Sequence, residues 1–440
     1  MSEARRVRAA YGLGCFGTDL YWHGTSFFLL FYYTDVLGLP SATAGLIFGA
    51  AMIWDGLIDP LMGLLASRTR TRWGRYRPYI LLGALPLAAT YVLMFAQPFL
   101  GLPTSIVFAL AAQMLFRTAY TAVSIPYGSL SAAITTSADE RNMLATFKVW
   151  GGALAALAVA LGTQPFVALW PTPQVGWLML SILVGVMACA AFVLMFLRTR
   201  EQPLGDERPP PFGTMLRALG GNRPFLILLA AIVAVNIATV IGGKVTVYYF
   251  TYYLERPDLT GVGLAIQVAA VMLLTPFWGY VGARWSKRAA WLWGSGIASA
   301  GLALLLAYPG KEPVVVLALL GLMQVGGAAI PICMWSLIPD TVEVGQWKTG
   351  ARAEGAVFGV VTLGQKVALG VGIGLTGLLL EASGYVAGAQ QTAATQRGLH
   401  LMMTVPALLG FVSSAAIMGF YVLDGRLHRR LVRALERRAA

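Results

Sequence analysis

Stretches of about twenty mostly apolar residues recur twelve times along this chain of 440 residues. A helix of about twenty residues crosses the ~30 Å hydrocarbon core of a bilayer, since each residue adds about 1.5 Å to its length. The recurrence therefore predicts an all-α polytopic membrane protein with twelve transmembrane helices. Their predicted spans are 12–37, 43–66, 79–99, 103–132, 143–169, 177–196, 225–252, 261–283, 291–308, 314–337, 355–380 and 399–421.

The net charge of +13 raises the alternative of a nucleic-acid partner. The basic residues of the chain, however, lie at both of its ends and in alternate connections between the apolar segments. Short basic connections stay in the cytoplasm, so this pattern predicts an inner or plasma membrane protein with both termini cytoplasmic and no nucleic-acid partner. The three cysteines are scattered without metal or redox spacing, and we expect no metal site and no cofactor beyond a coupling ion.

The longest hydrophilic connection, 198–224, lies at the midpoint of the chain and contains three consecutive prolines. It predicts a cytoplasmic linker between two six-helix bundles, 1–197 and 225–425, followed by a basic cytoplasmic tail, 426–440. Pseudo-symmetric bundles that enclose one central cavity are typical of transporters built from repeats, and we expect a monomer. A short internal repeat supports the duplication, pairing Asp59, Pro60, Gly63 and Arg68 with Thr275, Pro276, Gly279 and Arg284.

Helix 2 carries two carboxylates, Asp55 and Asp59, four residues apart in the stretch WDGLIDPLMGLLASRTRTRWGRYRP. They share one helical face, and ionised groups inside an apolar helix face a bundle interior or a wet cavity. The pair can bind Na⁺, or one member can carry a proton. The alternative is a structural ion pair with Arg117 or Lys366. Because Thr275 replaces Asp59 in the repeat, this acidic site belongs to the first half.

Helix 1 places Asp19 one turn before His23, with Trp22 between them. A carboxylate beside aromatic rings suits a sugar, whose hydroxyls need a strong acceptor and whose C–H faces pack on a ring. The alternative is that Trp22 belongs to an interfacial aromatic belt.

Charged clusters follow helices 4 and 10 at matching places in the two halves. We predict that they form salt bridges that close the cytoplasmic side, although exposed pairs contribute only about 1 kcal/mol or less each. The gating candidates are Asp139, Arg141, Asp340, Glu343, Arg352 and Glu354.

Four motifs at these places identify a resemblance to a known family. They are YGLGCFGTDLYW with FYYTDVLGL in helix 1, the helix 2–3 stretch quoted above, IPYGSLSAAITTSADERN after helix 4, and PDTVEVGQWKTGARAEG before helix 11. The whole chain resembles the glycoside-pentoside-hexuronide cation symporters, the melibiose permease-like branch of the major facilitator superfamily. The resemblance implies that superfamily's fold and cation-coupled symport of a sugar, glycoside or uronide by alternating access.

The resemblance also implies roles for particular residues. Asp19 matches a sugar-binding aspartate, Asp55 and Asp59 match the cation site, and Lys148 resembles in place a basic residue that helps to bind sugar. Lys366 and Thr362 match a lysine on helix 11 and the threonine one turn before it. By this resemblance we expect the substrate site to include residues of helices 4, 5 and 11, namely Tyr120, Ser124, Lys148, Thr362 and Lys366.

Two positions depart from the family pattern. Ser124 stands where the family has an acid shared by sugar and cation, and Gly128 stands where it has an aromatic platform for the sugar. A site with one carboxylate fewer favours proton coupling over Na⁺ coupling. The absence of the aromatic platform makes a galactoside substrate doubtful.

Two other classes of protein compete with a sugar symporter. A lysolipid carrier of the same superfamily would need a wide apolar cleft, which the Met and Phe content permits. A membrane-embedded transferase would need paired acids in a cytoplasmic loop to hold Mg²⁺ and a diphosphate. Here the acids lie inside helix 2 and the adjoining loop carries arginines, so we expect no enzyme.

Overall fold

The computed structural model describes residues 3–96, 101–135, 137–202, 221–350, 354–423 and 431. Within these ranges twelve long helices follow one another. They are α1 (Glu3–Phe31), α2 (Ser41–Arg68), α3 (Arg77–Phe95), α4 (Leu102–Ile134), α5 (Ala138–Val167), α6 (Pro173–Arg198), α7 (Arg223–Tyr248), α8 (Thr260–Arg284), α9 (Lys287–Ala307), α10 (in two segments, Pro313–Gly327 and Ala329–Thr349), α11 (Glu354–Ala382) and α12 (Ala393–Gly419).

Eleven of these helices are long and apolar enough to cross a membrane. The remaining one, α1, is long enough but carries Asp19 and His23 among several small polar residues, which lower its mean hydropathy. Both α1 and α7 continue directly into a five-residue π-helical turn, Tyr32–Val36 and Tyr249–Tyr253. The prediction of an all-α polytopic membrane protein with twelve transmembrane helices is confirmed.

Two helices differ from their predicted spans in an instructive way. The N-terminal part of α1 begins nine residues before the expected span, because its basic first turns are helical although they are too polar to lie in lipid. In α10 the helix breaks at Ala328. Pro331 lacks the N–H that would bond to the carbonyl of Gly327 four residues earlier, so the chain interrupts its ladder at that point.

The chain folds into two compact units, one of residues 1–206, 256–265 and 373–391, and one of the remaining residues. In the first unit α1 packs on α5 and α6, and α3 packs on α4 and α6. In the second unit the corresponding helices pair in the same way, with α7 on α12 and α9 on α10 and α12. Residues 203–220 of the predicted linker, and the predicted tail except residue 431, lie outside the described residues.

Arginines at the start of α3 and α9 repeat the same contact in both units. The guanidinium of Arg77 donates to the carbonyl of Phe196 near the end of α6. The guanidinium of Arg288 donates to the carbonyl of Met418 at the end of α12, at 3.1 Å. A cation at a helix C-terminus balances the partial negative charge of its free carbonyls, so each unit ties its third and sixth helices together in the same way.

The loop between α2 and α3 is held by Glu201, which follows α6. Its carboxylate accepts hydrogen bonds from the backbone N–H groups of Arg75, Tyr76 and Arg77 at 2.6, 2.9 and 2.8 Å. Gly74, at φ +108°, approaches this carboxylate so closely that an added Cβ would lie 2.4 Å from it. The successive N–H groups form an anion-binding concavity, and Glu201 thereby fixes the start of α3.

Candidate functional site

A hydroxyl on α4 lies between the two carboxylates of α2. Thr121 Oγ1 is 2.7 Å from Oδ1 of Asp55 and 3.0 Å from Oδ1 of Asp59. Asp55 and Thr121 are fully buried, and Asp59 is half-buried. The four-residue spacing in α2 therefore does place both acids on one face, and that face meets α4.

This arrangement limits how many protons can sit between the three side chains. A threonine hydroxyl has one proton to donate and two lone pairs to accept with. It can donate to one carboxylate, but its contact with the second needs a proton that comes from the carboxyl side. Two hydrogen bonds through Thr121 are therefore formed together when one of the two acids is protonated and the other is ionised.

Arg117 lies one turn before Thr121 on α4 and is almost completely buried, with 1% of its side chain exposed. Its charge acts on Asp55 and, more weakly, on Asp59. Its Nε and Nη1 atoms have no hydrogen-bond partner. A buried cation needs compensation, and for Arg117 this comes from the two nearby carboxylates and from surrounding aromatic rings.

Three rings surround the Arg117 guanidinium. Its central carbon lies 5.5 Å from the ring centroid of Phe48 and 5.6 Å from those of Trp22 and Phe116. A guanidinium within about 6 Å of a ring is attracted by the negative face of the π system, more strongly where water is excluded. The rings hold the Arg117 charge beside the acidic pair.

The predicted sugar-binding aspartate, Asp19, lies at the contact between α1 and α5. Its Oδ2 accepts a weak hydrogen bond from Cys15 Sγ at 3.4 Å, and an added Cβ at Gly152 would lie 2.3 Å from the same oxygen. The ammonium of Lys148, one turn before Gly152, acts on this carboxylate and lies 5.7 Å from the ring centroid of Tyr127. The fold thus brings Asp19 and Lys148 together.

Trp22 stacks on Tyr120, with ring centroids 5.9 Å apart and planes inclined by 29°. Trp22 is half-buried and Tyr120 is buried, so the pair forms a platform inside the first unit rather than an outward interfacial belt. Because the guanidinium of Arg117 also contacts Trp22, Arg117 lies between the acidic pair of α2 and α1, the helix that carries both Trp22 and Asp19.

Two further candidates of the first unit have less distinctive surroundings. His23 is half-buried with its ring 5.1 Å from that of Phe27, and its buried Nδ1 has no hydrogen-bond partner. Ser124 is half-buried on α4, one turn after Thr121. Their roles in substrate binding stay predictions.

Thr362 and Lys366 belong to the second unit, on α11. The Thr362 hydroxyl donates to the carbonyl of Phe358 at 2.9 Å, within its own helix. Lys366 is half-buried one turn later. The participation of both residues in the substrate site stays a prediction.

The gating candidates fall partly outside the described residues. Arg352 lies there, as do the side chains of Asp139 and Glu354. Arg141 is exposed and Glu343 half-buried. Asp340 is ion-paired inside the second unit, with both carboxylate oxygens 2.8 Å from Nζ of Lys287.

A further ion pair in the first unit involves a neighbour of two gating candidates. Glu140, in the first turn of α5, accepts two hydrogen bonds from the guanidinium of Arg8 on α1. This pair fastens the beginning of α1 to the beginning of α5.

Sequence reasoning missed two side chains of this site, Thr121 and Cys15. Thr121 stands one turn after Arg117 and one turn before Ser124, so its position on the charged face of α4 was the available signal. Cys15 stands one turn before Asp19 on α1. The four-residue spacing of Cys15 and Asp19 could likewise have indicated that the two side chains are in contact.

Comparison with known proteins finds one matching family model and relatives that are named as transporters or symporters. A family model described as MFS/sugar transport protein matches residues 10–425. The isoprimeverose transporter of Lactiplantibacillus pentosus is 30% identical over 446 residues, covering 98% of this chain and 91% of that protein. The inner membrane symporter YicJ of Escherichia coli (strain K12) is 28% identical, covering 95% of this chain and 92% of that protein.

Solved structures share the fold at low sequence identity. The crystal structure of a bacterial homologue of the human lysosomal transporter Spinster, inward-facing and unoccupied, superposes with a TM-score of 0.75 and 14% identity. The match covers 98% of both chains. At this identity the likeness describes the fold alone.

Proposed function

This chain belongs to the MFS/sugar transport protein family, and we propose that it is a symporter that couples entry of a sugar or glycoside to entry of a proton. It is a transporter rather than an enzyme. Sugar as the substrate class follows the relative named isoprimeverose transporter, and symport follows the relative named inner membrane symporter. The site residues are those of the first unit, with Asp55 or Asp59 as the proton carrier and Asp19, Trp22, Tyr120 and Lys148 as sugar contacts.

The observation that carries proton coupling is the single hydroxyl between two carboxylates. One proton shared by Asp55 and Asp59 satisfies both contacts of Thr121, and it leaves one negative charge, which Arg117 balances. A hard metal cation needs several oxygen ligands. It would also be repelled by the Arg117 guanidinium, and it would find Ser124 where the family provides a further carboxylate.

Substrate and proton can act on each other through the shared neighbours of the two sites. Trp22 contacts both Tyr120 and the Arg117 guanidinium. A sugar that packs on the Trp22–Tyr120 platform covers the exposed part of Trp22, and the further exclusion of water near this ring strengthens the attraction between Arg117 and the ionised acid.

We place the protein in the cell inner or plasma membrane, with both termini in the cytoplasm and acting as a monomer. The short basic connections support this orientation.

A lysolipid carrier of the same superfamily is the second candidate. The charged residues around Trp22 favour a polar substrate over an acyl chain, because each buried charge would have to be desolvated against lipid.

The deciding experiment is uptake of labelled glycosides and uronides into membrane vesicles under an imposed pH gradient or an imposed Na⁺ gradient. We expect accumulation with the outside acidic and no response to Na⁺ at fixed pH. Asp59→Asn removes the ionisable group but keeps its shape, so it should abolish accumulation while exchange of labelled for unlabelled substrate continues.

The matched control is Asp35→Asn. Asp35 is also a carboxylate of the first unit, but it lies in the π-helical turn after α1 and accepts a hydrogen bond from Tyr385. This variant should retain gradient-driven accumulation. Strong stimulation of wild-type uptake by Na⁺ at fixed pH would overturn proton coupling, and Ser124→Asp would then be tested for tighter Na⁺ binding. Uptake of lysophospholipid in place of sugars would favour the second candidate.

A further inference from the structure

An apolar groove of about 600 Å³ opens on the surface of the second unit, between the C-terminal part of α8 and the N-terminal part of α9. Aromatic rings form most of its wall. Its lining includes Phe277, Trp278, Tyr280, Trp285, Trp293 and Gly296. A volume of this size suits a small molecule or one acyl chain.

The groove has a fixed floor and open walls. Trp278 is only 2% exposed, and its indole N–H donates to the carbonyl of Val325 on α10 at 2.8 Å. Trp285 and Trp293 meet edge to face, with centroids 5.4 Å apart, yet they are 59% and 47% exposed. The rings are therefore held in place while much of their surface has no protein partner.

Positive charge lies at one end of the groove. Arg284 is exposed, with its guanidinium 6.0 Å from the Trp285 ring centroid. Arg288 donates to the carbonyls of Met418 and Gly419, so its guanidinium is engaged with the C-terminal end of α12. Lys287 is neutralised by Asp340, so the positive charge beside the groove comes from Arg284 and from the positive end of α9.

The internal repeat indicates that the fold itself does not require these rings. The positions in α2 that correspond to Phe277 and Tyr280 of α8 are Leu61 and Leu64, as counted from the shared proline. The position that corresponds to Trp285 is Thr69. Scattered interfacial aromatics are common in membrane proteins, but here the rings are gathered around one groove.

We propose that this groove is a binding site for an anionic phospholipid, with an acyl chain on the aromatic wall and the phosphate at Arg284. Because the protein spans a membrane, a phospholipid is the amphipathic molecule that always faces this surface. Basic pockets between transmembrane helices at the cytoplasmic side are suited to anionic head groups. The apolar wall and the basic end together match one molecule of that chemistry.

The test measures lipid binding to the purified full-length protein, with phosphatidylglycerol and phosphatidylcholine as probes, by native mass spectrometry. Gly296 lines the groove and has no atom within 4 Å of an added Cβ, so Gly296→Leu should fill the groove without disturbing the packing. We expect this variant to lose bound phosphatidylglycerol. Arg284→Gln should weaken phosphatidylglycerol by about fivefold and leave phosphatidylcholine unchanged, since one basic residue contributes about 1 kcal/mol near anionic lipid.

The matched control is Gly162→Leu on α5, where an added Cβ also meets no atom within 4 Å. It should bind phosphatidylglycerol like the wild type. Three results would overturn the proposal: equal retention of both lipids by the wild type, unchanged binding in Gly296→Leu, or protein dimers that form through this groove in place of lipid binding.

Discussion

Thr121 Oγ1 lies 2.7 Å from Oδ1 of Asp55, and neither side chain reaches the protein surface. Most hydroxyls in these helices bond instead to a carbonyl of their own helix, as Thr118 does to Met114 at 2.9 Å. Thr121 is turned towards another helix and joins α4 to the acids of α2. This contact links the acidic pair of α2 to the helix that also carries Arg117 and Tyr120.

Removing the Thr121 hydroxyl should uncouple transport more than it unfolds the protein. Thr121→Val keeps the shape of the side chain but cannot bridge the two acids, so we expect accumulation driven by a pH gradient to fall by about tenfold or more, the loss of roughly one charge-assisted hydrogen bond. Thr121→Ser keeps the hydroxyl and should retain most of the accumulation. Vesicle uptake measures both, and equal accumulation by the two variants would contradict a bridging role.

Replacing Arg117 should alter the ion preference of the site. In Arg117→Gln the acids lose their adjacent positive charge, so we expect uptake to become sensitive to Na⁺ at fixed pH. Arg117→Lys keeps the charge and should stay indifferent to Na⁺. Because the loss of a buried charge partner destabilises by about 3–5 kcal/mol, thermal unfolding should be followed alongside Na⁺ titrations. A Gln variant that folds and still ignores Na⁺ would remove Arg117 from the coupling site.

The Trp22–Tyr120 stack should contribute to the apparent affinity for sugar. Trp22→Ala removes one ring of the platform, and we expect the Kd to rise by about tenfold, in line with about 1.5 kcal/mol for an aromatic contact. Tyr120→Phe keeps the stack and should change the Kd less. Equilibrium binding of a transported glycoside tests this. An unchanged Kd in Trp22→Ala would show that Trp22 contributes to packing and not to sugar binding.

A close approach of α2 and α11 inside the first unit should be sensitive to side-chain size. An added Cβ at Gly45 would lie 2.8 Å from the Cα of Gly377, so Gly45→Val must push the two helices apart. We expect slower transport and a lower melting temperature. Gly63→Val on the same helix is the control, because its nearest neighbour would be 3.8 Å away. Equal behaviour of the two variants would show that this close contact does not matter.

The twelve helices and the facing acids were accessible from sequence because they depend on local patterns. Segment length predicts a span, and the four-residue spacing of Asp55 and Asp59 predicts a shared face. The Thr121 contact depends on which face of α4 packs against α2, and that packing is decided by all the side chains of the interface. The break in α10 had a local signal in Pro331, but proline alone does not break a helix, since α2 and α4 continue through Pro60 and Pro126.

The groove between α8 and α9 illustrates a second limit. Aromatic residues near a helix end have the same sequence signature whether they point separately into the interface or enclose a common space. Only the rotation of α8 and α9 about their axes gathers Trp285 and Trp293 beside Gly296.

Thr275 occupies the place of Asp59 in the second half, and its hydroxyl bonds back to the carbonyl of Val271 in its own helix. The second half therefore repeats the proline, glycine and arginine of the α2 motif but has no acid at the position of Asp59. If the α2 pair carries one proton per cycle, the concentration ratio that this protein can sustain for a neutral sugar has a ceiling. Each pH unit across the membrane then supports about a tenfold ratio, since it is worth about 1.4 kcal/mol. Each 100 mV adds about 2.3 kcal/mol, since one net charge moves with every sugar molecule. One proton would thus enter the cell with each sugar molecule, and sugar uptake would depolarise the membrane.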